Sequence, residues 1–187
     1  MTEIIHLPGI GNSGKLHWHS LWEDADPSIR RFAPTSWDEP DLLDWIDALE
    51  QAVRAAPTPP ILVAHSLACL LVAHWRDVSD LSIKGAFLVA VPDPAAPAFP
   101  PQAAGFANVP ECKFRFPSLI VASTIDPYGS LSYVEARAEQ WGSESKIIGA
   151  AGHINGQSEL GDWPDGLALL RDFESRIVPG TTAPSRA

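Results

Sequence analysis

Along this chain, short runs of consecutive apolar residues alternate with longer stretches in which apolar residues recur every three to four positions. Gly, Pro, Asp or Ser marks each junction. The short runs predict strands at Ile4–Leu7, Ile29–Ala33, Ile61–His65, Ala86–Val91, Leu119–Ser123 and Lys146–Ile148. The third to fifth are apolar throughout, as strands covered on both faces are, and so belong at the centre of a sheet. Helical spacing predicts Asp41–Arg54, where Leu42, Trp45, Ile46, Leu49 and Val53 share one stripe. It also predicts Leu67–Trp75 directly after the third strand, Tyr133–Trp141 and Trp163–Ile177. Strands that alternate with helices imply the α/β class, a mostly parallel central sheet with helices on both faces.

Two stretches break the pattern. Residues Pro92–Pro117 hold seven of the 18 prolines, which excludes regular helix or central strand and suits a segment wrapped over one end of the sheet, as a lid or pocket wall. The small, polar residues 179–187 are expected to form a loosely ordered tail behind a single domain of residues 1–178.

Composition narrows the function classes. The chain is 187 residues long, with 45% hydrophobic and 19% charged residues, enough apolar material for one core and too few charges for disorder. Its formal net charge of −10 repels phosphate backbones and anionic membrane surfaces, so nucleic acid and membrane are not expected partners. No apolar stretch spans the roughly 20 residues of a membrane helix. The first residues lack the basic region of a secretory signal. Cys69 and Cys112 are too few for a disulfide scaffold or a zinc site and are expected to be reduced thiols in a cytoplasmic protein.

Three motifs compete for chemistry. The first strand runs into Pro8–Lys15, PGIGNSGK, where Gly9, Gly11 and Gly14 satisfy G-x-G-x-x-G and Gly9, Gly14 and Lys15 satisfy G-x-x-x-x-G-K. Either would make Gly9–Lys15 a nucleotide-binding loop. However, no carboxylate closes the second strand to hold a ribose, and Leu16 stands where a magnesium-binding hydroxyl belongs. The third motif is VAHSLA, Val63–Ala68, in which a strand ends on Ser66 between small residues and a helix starts at once. That is the pattern of a nucleophile elbow, with Ala64 and Ala68 where glycine is usual. Read alone, Ser66 could equally cap the helix.

A serine needs an imidazole to take its proton, and the imidazole needs a carboxylate to orient it. Asp126 lies just after the fifth strand, and His153 follows the last strand in a glycine-flanked loop, giving the chain order Ser66, Asp126, His153 of α/β-hydrolases. Asp93, after the fourth strand, is the alternative carboxylate. The loop after the first strand then acquires a different role, with the backbone N–H groups of Ile10 and Leu67 as oxyanion donors.

PGIGNSGKLHWHSLW, LVAHSLAC, STIDPYGSLSYVEARAEQWG and GAAGHINGQSELGDWPDG resemble the small α/β-hydrolases that include YdeN and retinoblastoma-binding protein 9, over nearly the whole chain. The resemblance implies a compact hydrolase without a large cap domain, with Ser66 as nucleophile, Asp126 as acid and His153 as base. It implies a cytoplasmic serine hydrolase acting on small esters or related acyl substrates. The expectation is therefore a carboxylesterase with a small-molecule ester substrate, needing neither metal nor cofactor. A catalytically weak fold serving as a protein-binding module is the alternative, although no sequence feature indicates a protein partner. Trp18 and Trp22 are expected to pack the first helix. A minority reading puts Trp18 or Trp37 in the acyl pocket.

Overall fold

A computed structural model describes residues 2–177. The predicted tail, 179–187, lies outside the described residues. Six strands form one all-parallel sheet: β1 (Ile4–Leu7), β2 (Arg30–Arg31), β3 (Ile61–His65), β4 (Gly85–Val89), β5 (Ser118–Ala122) and β6 (Glu144–Ile147), in the order β2-β1-β3-β4-β5-β6. Five α-helices accompany them, α1 (Trp18–Ala25), α2 (Leu42–Arg54), α3 (Leu67–Val78) and α4 (Leu131–Trp141) between strands and α5 (Pro164–Ile177) after the last.

The period-2 alternation of the strands sorts their side chains onto two cores. Leu62, Ala64, Leu88 and Ile120 join a cluster with Trp45 and Leu49 of α2, the apolar face of α3, and Val134 and Trp141 of α4. Their neighbours Ile61, Val63, Phe87 and Val121 face the other way, onto Trp18 and Trp22 of α1 and Leu170 and Phe173 of α5. Helices thus cover both faces, and β3, β4 and β5 are buried along their whole length. The two tryptophans of α1 pack as expected, and Asp41 caps α2 by accepting the Asp44 N–H at 2.9 Å. Among the described residues no helix is long and apolar enough to cross a membrane.

Differences from the sequence pattern have local causes. The second strand shortens from Ile29–Ala33 to Arg30–Arg31, an edge strand bracketed by Pro27 and Pro34, whose ladder ends on the Phe32 N–H to His6 carbonyl bond. β4 stops at Val89 because Ala90 turns to φ 58°, which swings the chain out of the sheet. β6 begins at Glu144, two residues before the predicted start, since an exposed edge strand needs no apolar side chains. Within Pro92–Pro117 a 3₁₀ helix forms at Pro101–Phe106, with proline at its first position, where a missing N–H costs nothing.

Candidate active site

The turn from β3 into α3 puts Ser66 at φ 56° and ψ −126°, a region that L-residues rarely occupy. The Ser66 N–H bonds to the Val89 carbonyl at 2.9 Å, and its carbonyl accepts from Cys69 N–H at 2.8 Å, so the strained residue is held from both sides. Its hydroxyl does not cap α3. Instead, Ser66 Oγ lies 2.8 Å from His153 Nε2, and His153 Nδ1 lies 2.9 Å from each carboxylate oxygen of Asp126. With the imidazole neutral, the Nδ1–H donates to Asp126 and Nε2 accepts the serine O–H. Asp126 is nearly sealed from solvent, with a side chain 4% exposed against 10% for His153.

Residues that the sequence did not single out hold this arrangement. Ser123 Oγ, at the end of β5, accepts the Ile125 N–H at 3.2 Å and the Ala151 N–H at 2.9 Å, tying the aspartate loop to the histidine loop. Thr124 N–H donates to the Gly149 carbonyl at 2.9 Å across the same gap. The Tyr128 ring stands 4.4 Å from the His153 ring, and its backbone N–H donates to Asp126 Oδ1 at 2.9 Å. Only position marks Ser123 in the sequence, as the last residue of a strand whose following loop carries a carboxylate. Asp93 is engaged elsewhere, its Oδ1 accepting the Ala95 N–H at 2.8 Å.

The loop after β1 reaches the elbow. A Cβ placed on Gly9 would lie 3.0 Å from Ser66 Cβ and 3.1 Å from the His65 carbonyl oxygen, so the absent side chain is what lets the two turns touch. Ile10 and Leu67 consequently both line the cleft above Ser66. Among the described residues, neither of their N–H groups is spent on another protein acceptor. Replacing Gly9 by alanine should keep the fold but displace the elbow by a few tenths of an ångström. We expect a roughly tenfold fall in kcat, since even a 1 Å misplacement can cost about a hundredfold. Steady-state kinetics beside a melting curve checks this, and an unchanged kcat contradicts it.

No helix begins at Gly14, because α1 starts at Trp18 with His17 as its cap. The loop therefore lacks the helix N-terminus on which both phosphate-binding patterns depend. The cleft has a volume of about 790 Å³. Ser66 lines it together with Pro92, Phe99 and Pro100 of the proline-rich segment. Gln157, Asn155 and Lys15 line it as well. Neither tryptophan considered for an acyl pocket takes part. Trp18 is 1% exposed and donates its Nε1–H to the Ile154 carbonyl at 2.8 Å, while Trp37 packs edge-on against Phe32 and Trp45.

Comparison with known proteins agrees with this architecture. The chain is similar to a YdeN-like hydrolase of Pectobacterium atrosepticum, at 29% identity over 96% of this chain and 94% of the other, with a TM-score of 0.85. The ydeN gene product of B. subtilis shares the fold at 19% identity, covering 94% of this chain and all of its own (100%), with a TM-score of 0.77. Est816, an N-acyl homoserine lactone degrading enzyme, shares it at 14% identity over 92% and 93% of the two chains, with a TM-score of 0.70. No curated protein matches the sequence. The model of the serine hydrolase family matches residues 4–172, and the chain belongs to that family.

Proposed function

We propose that this serine hydrolase is a carboxylesterase that cleaves small acyl esters through an acyl-enzyme on Ser66. The observation that carries this reading is the unbroken line from hydroxyl to imidazole to buried carboxylate, 2.8 and 2.9 Å per step, with Ser66 and His153 lining a cleft. Ser66 Oγ attacks the acyl carbon while His153 Nε2 takes its proton, and Asp126 stabilises the resulting imidazolium. The carbonyl oxygen, now an anion, accepts from the N–H groups of Ile10 and Leu67. Collapse of the tetrahedral intermediate breaks the bond to the alcohol oxygen, and His153 returns its proton to that leaving group. Water, deprotonated by the same imidazole, then attacks the acyl carbon and releases the acid.

The cleft volume falls within the range of small-molecule sites, about 300–1,000 Å³, and apolar side chains such as Phe99 and Ile10 supply surface for an acyl chain. A p-nitrophenyl ester series from acetyl to dodecanoyl tests the reading. We expect turnover concentrated in the short and medium acyl chains. If no ester is hydrolysed and a fluorophosphonate probe fails to label the folded protein, the proposal is wrong and a binding role takes its place.

A further inference from the structure

The mechanism above uses one imidazole, yet four others are buried in a row beside it. His65 faces His17 with ring centroids 4.7 Å apart, His17 lies 5.1 Å from His19, and His19 stacks on His6 at 4.3 Å. The row begins at the site itself. His65 is the last residue of β3, adjacent to Ser66, and its ring centroid is 5.0 Å from that of His153. His65 Nε2 lies 2.9 Å from the main-chain carbonyl oxygen of His153. A carbonyl only accepts, so His65 carries its proton on Nε2 and donates it. Burial keeps the ring neutral, pushing its pKa well below the ordinary histidine range, and the neighbouring His153 and His17 act in the same direction.

We propose that His65 is a positioning residue, whose Nε2–H fixes the distance between nucleophile and base by holding the main chain of His153. The inference rests on the reading of His153 as the general base. The loop that carries His153 has no regular structure, and both residues flanking it, Gly152 and Ile154, adopt left-handed conformations at φ 55° and 49°. Other bonds anchor that loop through its neighbours: Ser123 holds Ala151, and Trp18 holds the Ile154 carbonyl. The bond from His65 holds the residue that bears the base, and it comes from the residue next to the nucleophile. It therefore spans the gap directly, with one side chain between the two backbones. Its ring packs against both His17 and His153, with centroids 4.7 and 5.0 Å away. Loss of the bond lets the His153 loop drift from the elbow. Proton transfer over 2.8 Å tolerates little drift, because catalysis falls by as much as about a hundredfold per ångström of misplacement.

The competing explanation is that the ring only fills space, and two variants separate the two roles. His65→Phe keeps a flat ring and removes the donor, whereas His65→Gln offers an amide N–H at a similar reach. We expect His65→Phe to lower kcat by about tenfold to a hundredfold with little change in KM, since the bond acts on the base and not on bound substrate. His65→Gln should recover most of that loss. A folded His65→Phe protein with wild-type kcat overturns the proposal, and so do equal losses in both variants. Should the phenylalanine protein not fold, tautomer-resolved ¹⁵N NMR of the wild type decides. A neutral, Nε2-protonated His65 supports the bond, and an Nδ1-protonated or charged ring rules it out. These failures leave the esterase standing, whereas a wild-type protein that hydrolyses no ester removes the function and this role together.

Discussion

Replacing Ser66 by alanine is expected to abolish fluorophosphonate labelling and to lower ester turnover by at least about a thousandfold, leaving what the oxyanion donors and binding supply alone. The magnitude follows from the division of labour at the site. Without Oγ there is no acyl-enzyme, and His153, oriented by Asp126, has no serine proton to accept. The fold should survive because the hydroxyl bonds only to His153 among the described residues and caps no helix. Alanine also retains the Cβ, so the backbone strain at φ 56° is neither relieved nor increased. Matched melting curves with lost labelling place the chemistry at Ser66. An alanine protein that still takes the probe removes Ser66 from it.

Acid should destabilise this protein as the pH falls below 6.5, the ordinary histidine value. Burial lowers the pKa of His6, His17, His19 and His65, in the case of His17 from 6.5 to about 4. For His6 the partner Glu23, 2.8 Å away, opposes the shift without reversing it. Each ring regains a pKa near 6.5 on unfolding, so below that pH the unfolded chain binds protons that the folded chain refuses. Stability is therefore fully present above pH 6.5 and is lost as pH falls towards the folded values. For His17 the slope reaches about 1.4 kcal/mol per pH unit, and that ring accounts for about 3 kcal/mol by pH 4. His6, His19 and His65 add to the loss in the same direction. Urea unfolding between pH 7.5 and 4.5 should show a steep fall, shallower in His17→Gln. A stability that stays flat across this window contradicts neutral, buried rings.

The sheet was legible because its middle is monotonous: β3, β4 and β5 each carry a run of at least four consecutive apolar residues without helical spacing. The edges were harder to read. β2 and β6 pair on one side only, so Arg30, Arg31, Glu144 and Lys146 can occupy them, and polar edge residues look like loop. At the site, the elbow pattern around Ser66, the loops after later strands that carry Asp126 and His153, and their chain order suggested the three residues, with Asp93 left as an alternative carboxylate. The cluster of histidines was not legible. His65 and His153 are 88 positions apart, and nothing in periodicity says that one ring will bond the other's carbonyl. Ser123 was missed for the same reason, since its two acceptor bonds join loops that meet only once the sheet has formed.

The left-handed backbone at Ser66 sets robustness against usefulness at a single position. Glycine would relax that turn and make the polypeptide hardier, yet it would carry no hydroxyl. Selection for thermal endurance alone would therefore favour glycine here. A lineage that retains serine there, enduring the contortion generation after generation, is one in which the hydroxyl is still in use.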